Sequence, residues 1–470
     1  MLTHFLVRRY PLMSIRWHFN SATLRTLFGI ALPMVVSQGA FAVMTFTDRY
    51  FMSQIDPAHM AAALGGGVAT FFTVCFFSGL LSYANALVAQ YLGAGELAKC
   101  SRVVTQGLLL AIACQPLMML ITLYVVRIFS AMDHDPQVVV LESTYFQILM
   151  VGALITLFKT CLASYFAGIG RTRVVMVCDV AGLLLNVPLC WAMAFGRLGF
   201  PAMGISGAAW STVISTLFSL ALFAVFYLAR HNREKFQVAA SLRIDFAILR
   251  RYLRLGLPSG LELFLNVAAF NLFLLMFQSY GVAHGAAAAI VFNWDMLSFV
   301  PMIGLNIGLV SLIGRSVGGR NMEKANEVIT AGFVIGIGYS SVLGLIYILF
   351  RFPLVEVFAP PTGDFSEIRT LATFMMVGLS CYTMADAIIQ VAGGVLRGAG
   401  DTRWVMLTST ALHWVMLVIQ YLVIRVWDFG PKASWLVFCL LIVAIAVAFV
   451  LRLLSGRWRT ADAMHRVMAD

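Results

Sequence analysis

The sequence predicts an all-α polytopic membrane protein with twelve transmembrane helices in two parallel six-helix repeats. Three observations predict this fold. The chain of 470 residues is 61% hydrophobic and only 11% charged, its apolar runs are unbroken, and short motifs recur about 225 residues apart. Soluble domains carry about a quarter charged residues, so a chain this apolar needs lipid as its solvent. In lipid, every backbone polar group must be bonded within a helix or a closed barrel.

The length of the apolar runs distinguishes helices from barrel strands. Barrel strands alternate apolar and polar side chains over roughly ten residues, whereas these runs stay apolar for about twenty or more. Hydropathy therefore predicts six spans in each half of the chain. The first six cover 25–51, 60–89, 101–126, 139–166, 173–195 and 204–229. The second six cover 253–279, 284–314, 325–349, 367–396, 403–425 and 433–454.

The predicted domain boundaries follow from these spans. The basic stretch at 230–252 is the one long polar connection and is the predicted cytoplasmic linker. It separates an N-lobe at 25–229, which holds helices 1 to 6, from a C-lobe at 253–454, which holds helices 7 to 12. An N-terminal cytoplasmic extension at 1–24 and a cytoplasmic tail at 455–470 complete the prediction.

The basic residues predict the orientation. With the N-terminus inside, the inner segments hold 24 of the 32 Lys and Arg residues and the outer segments hold 7, and the remaining one is Lys159, inside a helix. Because an excess of Lys and Arg marks the cytoplasmic side, both termini are expected there. The start has no clean signal-peptide pattern, so residues 1–12 form an extension or precede a start at Met13.

The repeat is visible as three motif pairs in the same order. They pair Pro33 with Pro258, 92–99 with 317–324, and 168–176 with 398–406. Each unit has six spans, so both units enter the membrane from the same side, and such parallel repeats place substrate sites near the midplane between the halves. Both prolines fall inside predicted helices, where proline frees a carbonyl and bends the helix. We interpret them as hinges, with a static kink as the alternative.

Composition also excludes several classes of protein. The net charge of +11 is spread over helix ends, not gathered on one face, which argues against nucleic-acid binding. The eight cysteines lie in apolar segments without a Cys-x-x-Cys pair, which is typical of packing residues. Phosphate-loop and H-E-x-x-H motifs are absent. We therefore expect no enzyme, no cofactor and no internal ATP-driven step.

Ionisable groups inside spans are the candidate functional residues, because each one is costly in lipid. Glu262, Asp295 and Asp386 fall in the middle third of the second half, and Asn266 lies one helical turn beyond Glu262 on the same face. Carboxylates at similar depth can hold a Na⁺ or share protons. The alternative is that they only form hydrogen bonds to neighbouring helices.

Three further ionisable residues lie in the first half. Asp48 follows Pro33 by fifteen residues and is either a functional acid or a plain interfacial residue beside Arg49. Lys159 and Asp179 lie on adjacent predicted helices and are interpreted as a structural ion pair that stabilises packing.

These features together resemble the multidrug and toxic compound extrusion (MATE) family over about residues 24–455. The matching segments are "LPMVVSQ" followed by Asp48, "VAQYLGAGE", "GIGRTR", "GLPSGLELFLN", "GRSVGGRN" and "DAIIQVAGGVLRGAGDT". The resemblance implies two six-helix lobes with alternating access in a bacterial-type inner membrane. It also implies export of cationic amphipathic compounds by antiport with H⁺ or Na⁺, by a protein acting as a monomer in contact with lipid.

The resemblance assigns roles to particular residues. It implies that Asp48 is a proton or cation site and that Asp386 is a cation site. One alternative is a Na⁺ bound by Asp386 and Glu262, although Glu262 lies one turn before the position at which family members carry their glutamate. The sequence departs from the family at two places, which leaves the coupling ion open. Asn266 stands where some members have a cation-binding glutamate, and Cys190 stands where some have an aspartate four residues after Asn186.

Three other classes remain as alternatives. A lipid or lipid-linked oligosaccharide flippase of the related superfamily often has about fourteen spans and a more basic cavity. A facilitator-superfamily transporter also has twelve spans but usually carries a G-x-x-x-D-R-x-G-R-R-like loop, where this chain reads "LGAGELAKCSR". A membrane-embedded enzyme lacks any supporting group of catalytic residues.

Overall fold

The computed structural model describes residues 17–131, 135–360 and 365–460. Within these ranges the chain is helical and contains no β-strand. The choice between Met1 and Met13 as the start lies outside the described residues. The same applies to most of the predicted N-terminal extension and to the last ten residues of the predicted tail.

The described residues of the first half form eight α-helices. The second of them starts at a strong cap, because the Asp56 carboxylate accepts from the backbone N–H of His59 at 2.7 Å and Pro57 occupies the first helical position. Asp56 lies in the turn before this helix, and its hydrogen bonds to His59 lower the pKa of its carboxyl group. The helices are α1 (Ser21–Ser53), α2 (Pro57–Ser82), α3 (Ala84–Gly93), α4 (Leu97–Ala131), α5 (Pro136–Val151), α6 (Ala153–Gly168), α7 (Thr172–Phe195) and α8 (Ile205–Leu228).

The described residues of the second half form two short helices and six long ones. The helices are α9 (Arg230–Lys235), α10 (Phe246–Gln278), α11 (Val282–Gly318), α12 (Met322–Leu349), α13 (Arg351–Glu356), α14 (Ser366–Gly398), α15 (Thr402–Tyr421) and α16 (Pro431–Leu454). Helix α15 ends in a π-helical turn at Leu422–Val426, and single 3₁₀ turns lie at Val238–Ser241 and Arg457–Arg459.

The predicted twelve spans are confirmed. In the described part of the chain, eleven helical segments are long and apolar enough to cross a membrane, with α2 and α3 counted together as one. The twelfth is the pair formed by α5 and α6, which meet at a bend of 47°. This pair covers the predicted span at 139–166.

The chain forms two compact units, and the boundaries between these units fall within helices α1 and α10. One unit is Pro33–Phe264, and the other contains the residues up to Leu32 together with those from Leu265 onwards. These divisions differ from the predicted lobe boundaries, which follow hydropathy. The start of α1 packs with the second half, because Asn20 Nδ2 donates to Glu327 Oε2 at 3.1 Å and Leu27 lies in that unit's apolar core.

The predicted linker at 230–252 is a packed part of the Pro33–Phe264 unit. Asn232 Oδ1 accepts from the Tyr165 hydroxyl at 3.0 Å, and the carbonyl of Phe236 accepts from the Ser101 hydroxyl at 2.7 Å. Farther along, Tyr252 donates to the carbonyl of Leu81 at 2.6 Å. Hydrogen bonds therefore attach this stretch to α2, α4 and α6.

Helices α2 and α10 approach each other closely at two glycines. A Cβ added to Gly260 would lie 2.6 Å from the carbonyl oxygen of Phe76, and one added to Gly79 would lie 3.0 Å from the Cα of Gly260. Backbone atoms cannot move aside as a flexible side chain can, so only glycine allows this distance.

We expect Gly260→Val to lower the free energy of unfolding by about 1–3 kcal/mol, because the added methyl groups would force α2 and α10 apart. The measurement is the midpoint of thermal unfolding of the purified protein in detergent. Gly338→Val is the matched control, since it adds the same side chain within a helix where nothing lies within 4 Å. Equal midpoints for the two variants would contradict the close packing.

Candidate cation-binding sites

Asp48 lies in a buried polar cluster of the Pro33–Phe264 unit. Its side chain, on α1, is only 4% exposed. Its Oδ2 accepts from the Thr212 hydroxyl on α8 at 2.8 Å, and Thr212 in turn accepts from Asn186 Nδ2 on α7 at 3.4 Å. The plain interfacial interpretation of Asp48 is therefore wrong, because an interfacial carboxylate would face water.

Two side-chain oxygens in this cluster could accept further hydrogen bonds. Asp48 Oδ1 and Asn186 Oδ1 are buried and accept no hydrogen bond of normal geometry from the described residues. Cys190 and Tyr145 also border the carboxylate. Buried oxygens are normally satisfied, so two open acceptors here indicate a place for a proton or a cation. The role of Asp48 as an ion site stays a prediction.

Thr212 is the member of this cluster that sequence reasoning missed. It lies 164 residues from Asp48, in an apolar helix with several other hydroxyl residues. A threonine in such a helix usually bonds its own backbone, and Thr212 carries no distinguishing signal in the sequence.

Lys159 and Asp179 are in contact in the same unit. Lys159 Nζ on α6 lies 2.8 Å from Asp179 Oδ1 on α7, and Asp179 Oδ2 accepts from the hydroxyl of Ser37 on α1. The two charged side chains are 23% and 12% exposed. Three helices thus meet at one charged group, and Ser37 is a partner that the sequence did not indicate.

Asp295 and Asp386 are brought together in the unit that contains most of the second half. Asp295 on α11 accepts from the Ser298 hydroxyl at 3.1 Å and lies beside the phenol of Tyr382 on α14. Tyr382 is one turn before Asp386, and the two carboxyl groups are close enough to interact electrostatically. Both aspartates are half-buried.

Aromatic rings adjoin this pair of acids. Tyr382 packs edge-on against Trp435 and Phe438, with ring centroids 5.9 and 5.7 Å apart, and Trp435 stacks on Phe438 at 5.4 Å. The Tyr382 hydroxyl faces the Asp295 carboxylate, and Trp435 Nε1 is buried without a hydrogen-bond partner among the described residues. Carboxylates beside aromatic faces are suited to an organic cation.

Glu262 and Asn266, which were predicted together with Asp295 and Asp386, belong to different compact units. Glu262 is buried and belongs to the Pro33–Phe264 unit, while Asn266 belongs to the unit of Asp295 and Asp386. Asn266 donates to the Ser409 hydroxyl at 2.8 Å, and its Oδ1 is buried without a partner among the described residues. Roles in cation binding for Glu262 and Asn266 stay predictions.

The predicted hinge prolines both lie inside helices, Pro33 in α1 and Pro258 in α10. Pro33 is the first residue of its compact unit, whereas the division in α10 comes six residues after Pro258. A proline is therefore present close to both points where the chain passes between units. Their hinge role stays a prediction.

A family model described as MatE matches residues 33–192 and 258–422, more than two thirds of the chain. The chain belongs to the MATE family. The two matched stretches start at the prolines of the internal repeat, so each half of this MATE protein matches the same model. As a member of this family it is a membrane transporter and not an enzyme. The facilitator-superfamily and enzyme alternatives are thereby excluded.

Characterised relatives cover nearly the whole chain. The multidrug resistance protein MdtK of Yersinia pseudotuberculosis is 26% identical over 442 residues, covering 92% of this chain and 95% of the relative. MdtK of Proteus mirabilis is 28% identical over 433 residues, covering 90% and 93%. This MATE transporter is therefore similar to MdtK along its length.

Solved structures share its fold. A MOP superfamily transporter from Pyrococcus furiosus superposes with a TM-score of 0.85 at 18% identity, covering 93% of this chain and 97% of that one. The eukaryotic MATE transporter AtDTX14 superposes with a TM-score of 0.83 at 18% identity, covering 95% and 99%. The predicted MATE-like arrangement of twelve helices is confirmed.

Proposed function

We propose that this transporter exports cationic amphipathic compounds in exchange for H⁺ or Na⁺. One observation carries the proposal: Asp295 and Asp386 lie together inside spans, beside Tyr382, Trp435 and Phe438. Acids inside a membrane span are costly and mark ion or substrate paths. The similarity to proteins named for multidrug resistance supports the same class of substrate.

The acid pair gives the exchange a physical basis. Two neighbouring carboxylates in a medium of low dielectric constant repel each other, so a proton, a Na⁺ or an organic cation stabilises them. Only one of these can neutralise the same charge at a time. Ion entry therefore displaces the drug cation, which couples inward movement of the ion to outward movement of the drug.

Alternating access requires that the ion favours one conformation. A ligand shifts a conformational equilibrium only by the difference between its affinities for the two states. We propose that deprotonated Asp386 holds the ion in the outward-open state, and that its neutralisation changes which helix packing is favoured. Glu262, which is buried in the Pro33–Phe264 unit, is proposed as a separate ion site. Asp48 acts as a second site in the first half, because its Oδ1 has spare acceptor capacity.

The proposal also covers the membrane, the oligomeric state and the orientation of the protein. We infer a multi-pass protein of a bacterial-type inner membrane, acting as a monomer, with both termini cytoplasmic. The support for this orientation is the excess of Lys and Arg in the segments on the inner side. No cofactor is required, since the coupling ion supplies the driving force.

The test is ethidium efflux from vesicles that contain the purified full-length protein, with H⁺ and Na⁺ gradients imposed separately. We expect at least one gradient to drive efflux and a matching ionophore to abolish it. A gradient that accelerates efflux identifies the coupling ion. Efflux that is indifferent to both gradients would contradict antiport, and flipping of a fluorescent lipid without dye export would favour the flippase alternative.

A further inference from the structure

A surface at the end of the linker combines exposed apolar side chains with positive charge. We define the linker platform as residues 241–250, in the Pro33–Phe264 unit. Leu242, Ile244 and Phe246 are 79%, 58% and 76% exposed there, and they alternate with Ser241, Arg243 and Asp245. Large apolar side chains standing at alternate positions of a polar segment indicate a surface that contacts something apolar.

The platform is held rigidly by α4. Gln106 donates to the carbonyl of Arg243 at 2.9 Å and accepts from the backbone N–H of Asp245 at 3.2 Å. The hydroxyls of Ser241 and Thr105 are 3.2 Å apart. Because these bonds fix the backbone on both sides of Leu242 and Ile244, the apolar side chains are held outwards.

The charge of the platform is positive and uncompensated. Arg243 and Arg250 are exposed and form no ion pair with the described residues. The acid between them, Asp245, is 3.4 Å from Arg102 and also caps α10 by accepting from the N–H of Ile248. The carboxylate of Asp245 is therefore already paired with Arg102. The positive charges of Arg243 and Arg250 remain available to an external anion.

The neighbouring Arg251 has a different role. It is buried, donates to Gln90 Oε1 at 2.7 Å and stacks over the Tyr91 ring at 4.7 Å. It attaches the start of α10 to α3. The external charge of the platform is thus limited to the two exposed arginines.

The length of α10 places the platform at the membrane surface. Its 33 residues span about 50 Å, whereas the hydrocarbon core is about 30 Å thick. One end must project from the hydrocarbon, and Arg250, Arg251 and Arg254 identify the N-terminal end. Phe246 and its apolar neighbours therefore lie at the level of the lipid headgroups.

We propose that the linker platform binds anionic phospholipid of the cytoplasmic leaflet, with Leu242, Ile244 and Phe246 inserted and Arg243 and Arg250 contacting the headgroup phosphate. An exposed basic residue near an anionic leaflet is attracted to it, and inserted apolar side chains add to the affinity. The inference uses the cytoplasmic orientation proposed above and is independent of the coupling ion.

The test measures binding of phosphatidylglycerol carrying a fluorescent acyl chain to the full-length protein in neutral detergent, without any ion gradient. We expect Arg243→Gln/Arg250→Gln to weaken binding at least about tenfold, since each arginine is worth about fivefold. The matched control is Arg233→Gln/Lys235→Gln, which removes the same charge from exposed positions of the linker outside the platform. We expect this control to bind as the unaltered protein does.

A second variant, Leu242→Ser/Ile244→Ser/Phe246→Ser, tests insertion and is expected to weaken binding with both arginines present. Unlabelled phosphatidylglycerol should compete, whereas phosphatidylcholine and inorganic phosphate should not. Equal losses for the arginine pair and its control, competition by inorganic phosphate, or unchanged binding of either platform variant would overturn the proposal. Thermal midpoints confirm that each variant is folded, and ethidium efflux reports separately on the proposed antiport.

Discussion

Asp386→Asn is expected to abolish ion-driven export while leaving the protein folded in the membrane. The substitution keeps the shape of the side chain but removes the charge that the ion and the organic cation compete for. A neutral asparagine does not attract a cation, so both the ion and the organic cation lose the charge that binds them. We therefore expect the initial rate of ethidium efflux under an imposed gradient to fall to the level of protein-free vesicles.

The matched control is Glu367→Gln, which neutralises an exposed acid at the start of the same helix. It should export ethidium at the unaltered rate, because its carboxylate lies in the first turn of α14 and is 66% exposed. If Asp386→Asn exported ethidium as fast as this control, the assignment of Asp386 would be wrong. A variant that fails to reach the membrane is recognised by its amount in the vesicles, which is measured for both proteins.

Lys159→Met is expected to cause the largest loss of stability. It leaves the Asp179 carboxylate without its cation at a point where α1, α6 and α7 meet. Breaking a fully buried ion pair costs about 3–5 kcal/mol, and the partial exposure of this pair places the expected loss at the lower end of that range. The measurement is the thermal midpoint in detergent, together with the yield of folded protein.

The double variant Lys159→Met/Asp179→Asn separates charge from packing. Asparagine keeps an oxygen that can accept from Ser37, and no unpaired charge remains, so most of the lost stability should return. A double variant no more stable than Lys159→Met would show that the pair does not act through charge balance. Transport by the stable double variant then tests whether the pair has only the structural role that the sequence predicted.

The ionisable candidates were accessible from the sequence because a charge inside an apolar run is conspicuous. Asp48, Asp179, Asp295 and Asp386 could all be named in this way. Their partners could not. Thr212, Ser37 and Tyr382 are ordinary residues of helices, and only their positions next to a carboxylate distinguish them.

The sequence alone determined the twelve membrane-spanning helices, because transfer into lipid depends on each segment's own side chains, and the three motif pairs determined the repeat. Only the tertiary structure decided where the compact units divide, inside α1 and α10, and which polar groups meet. Such contacts join residues far apart in the chain, as with Asp48 and Thr212, and depend on how helices pack. Hydropathy reports the free energy of each helix in lipid, and that quantity is nearly the same whichever neighbour the helix packs against.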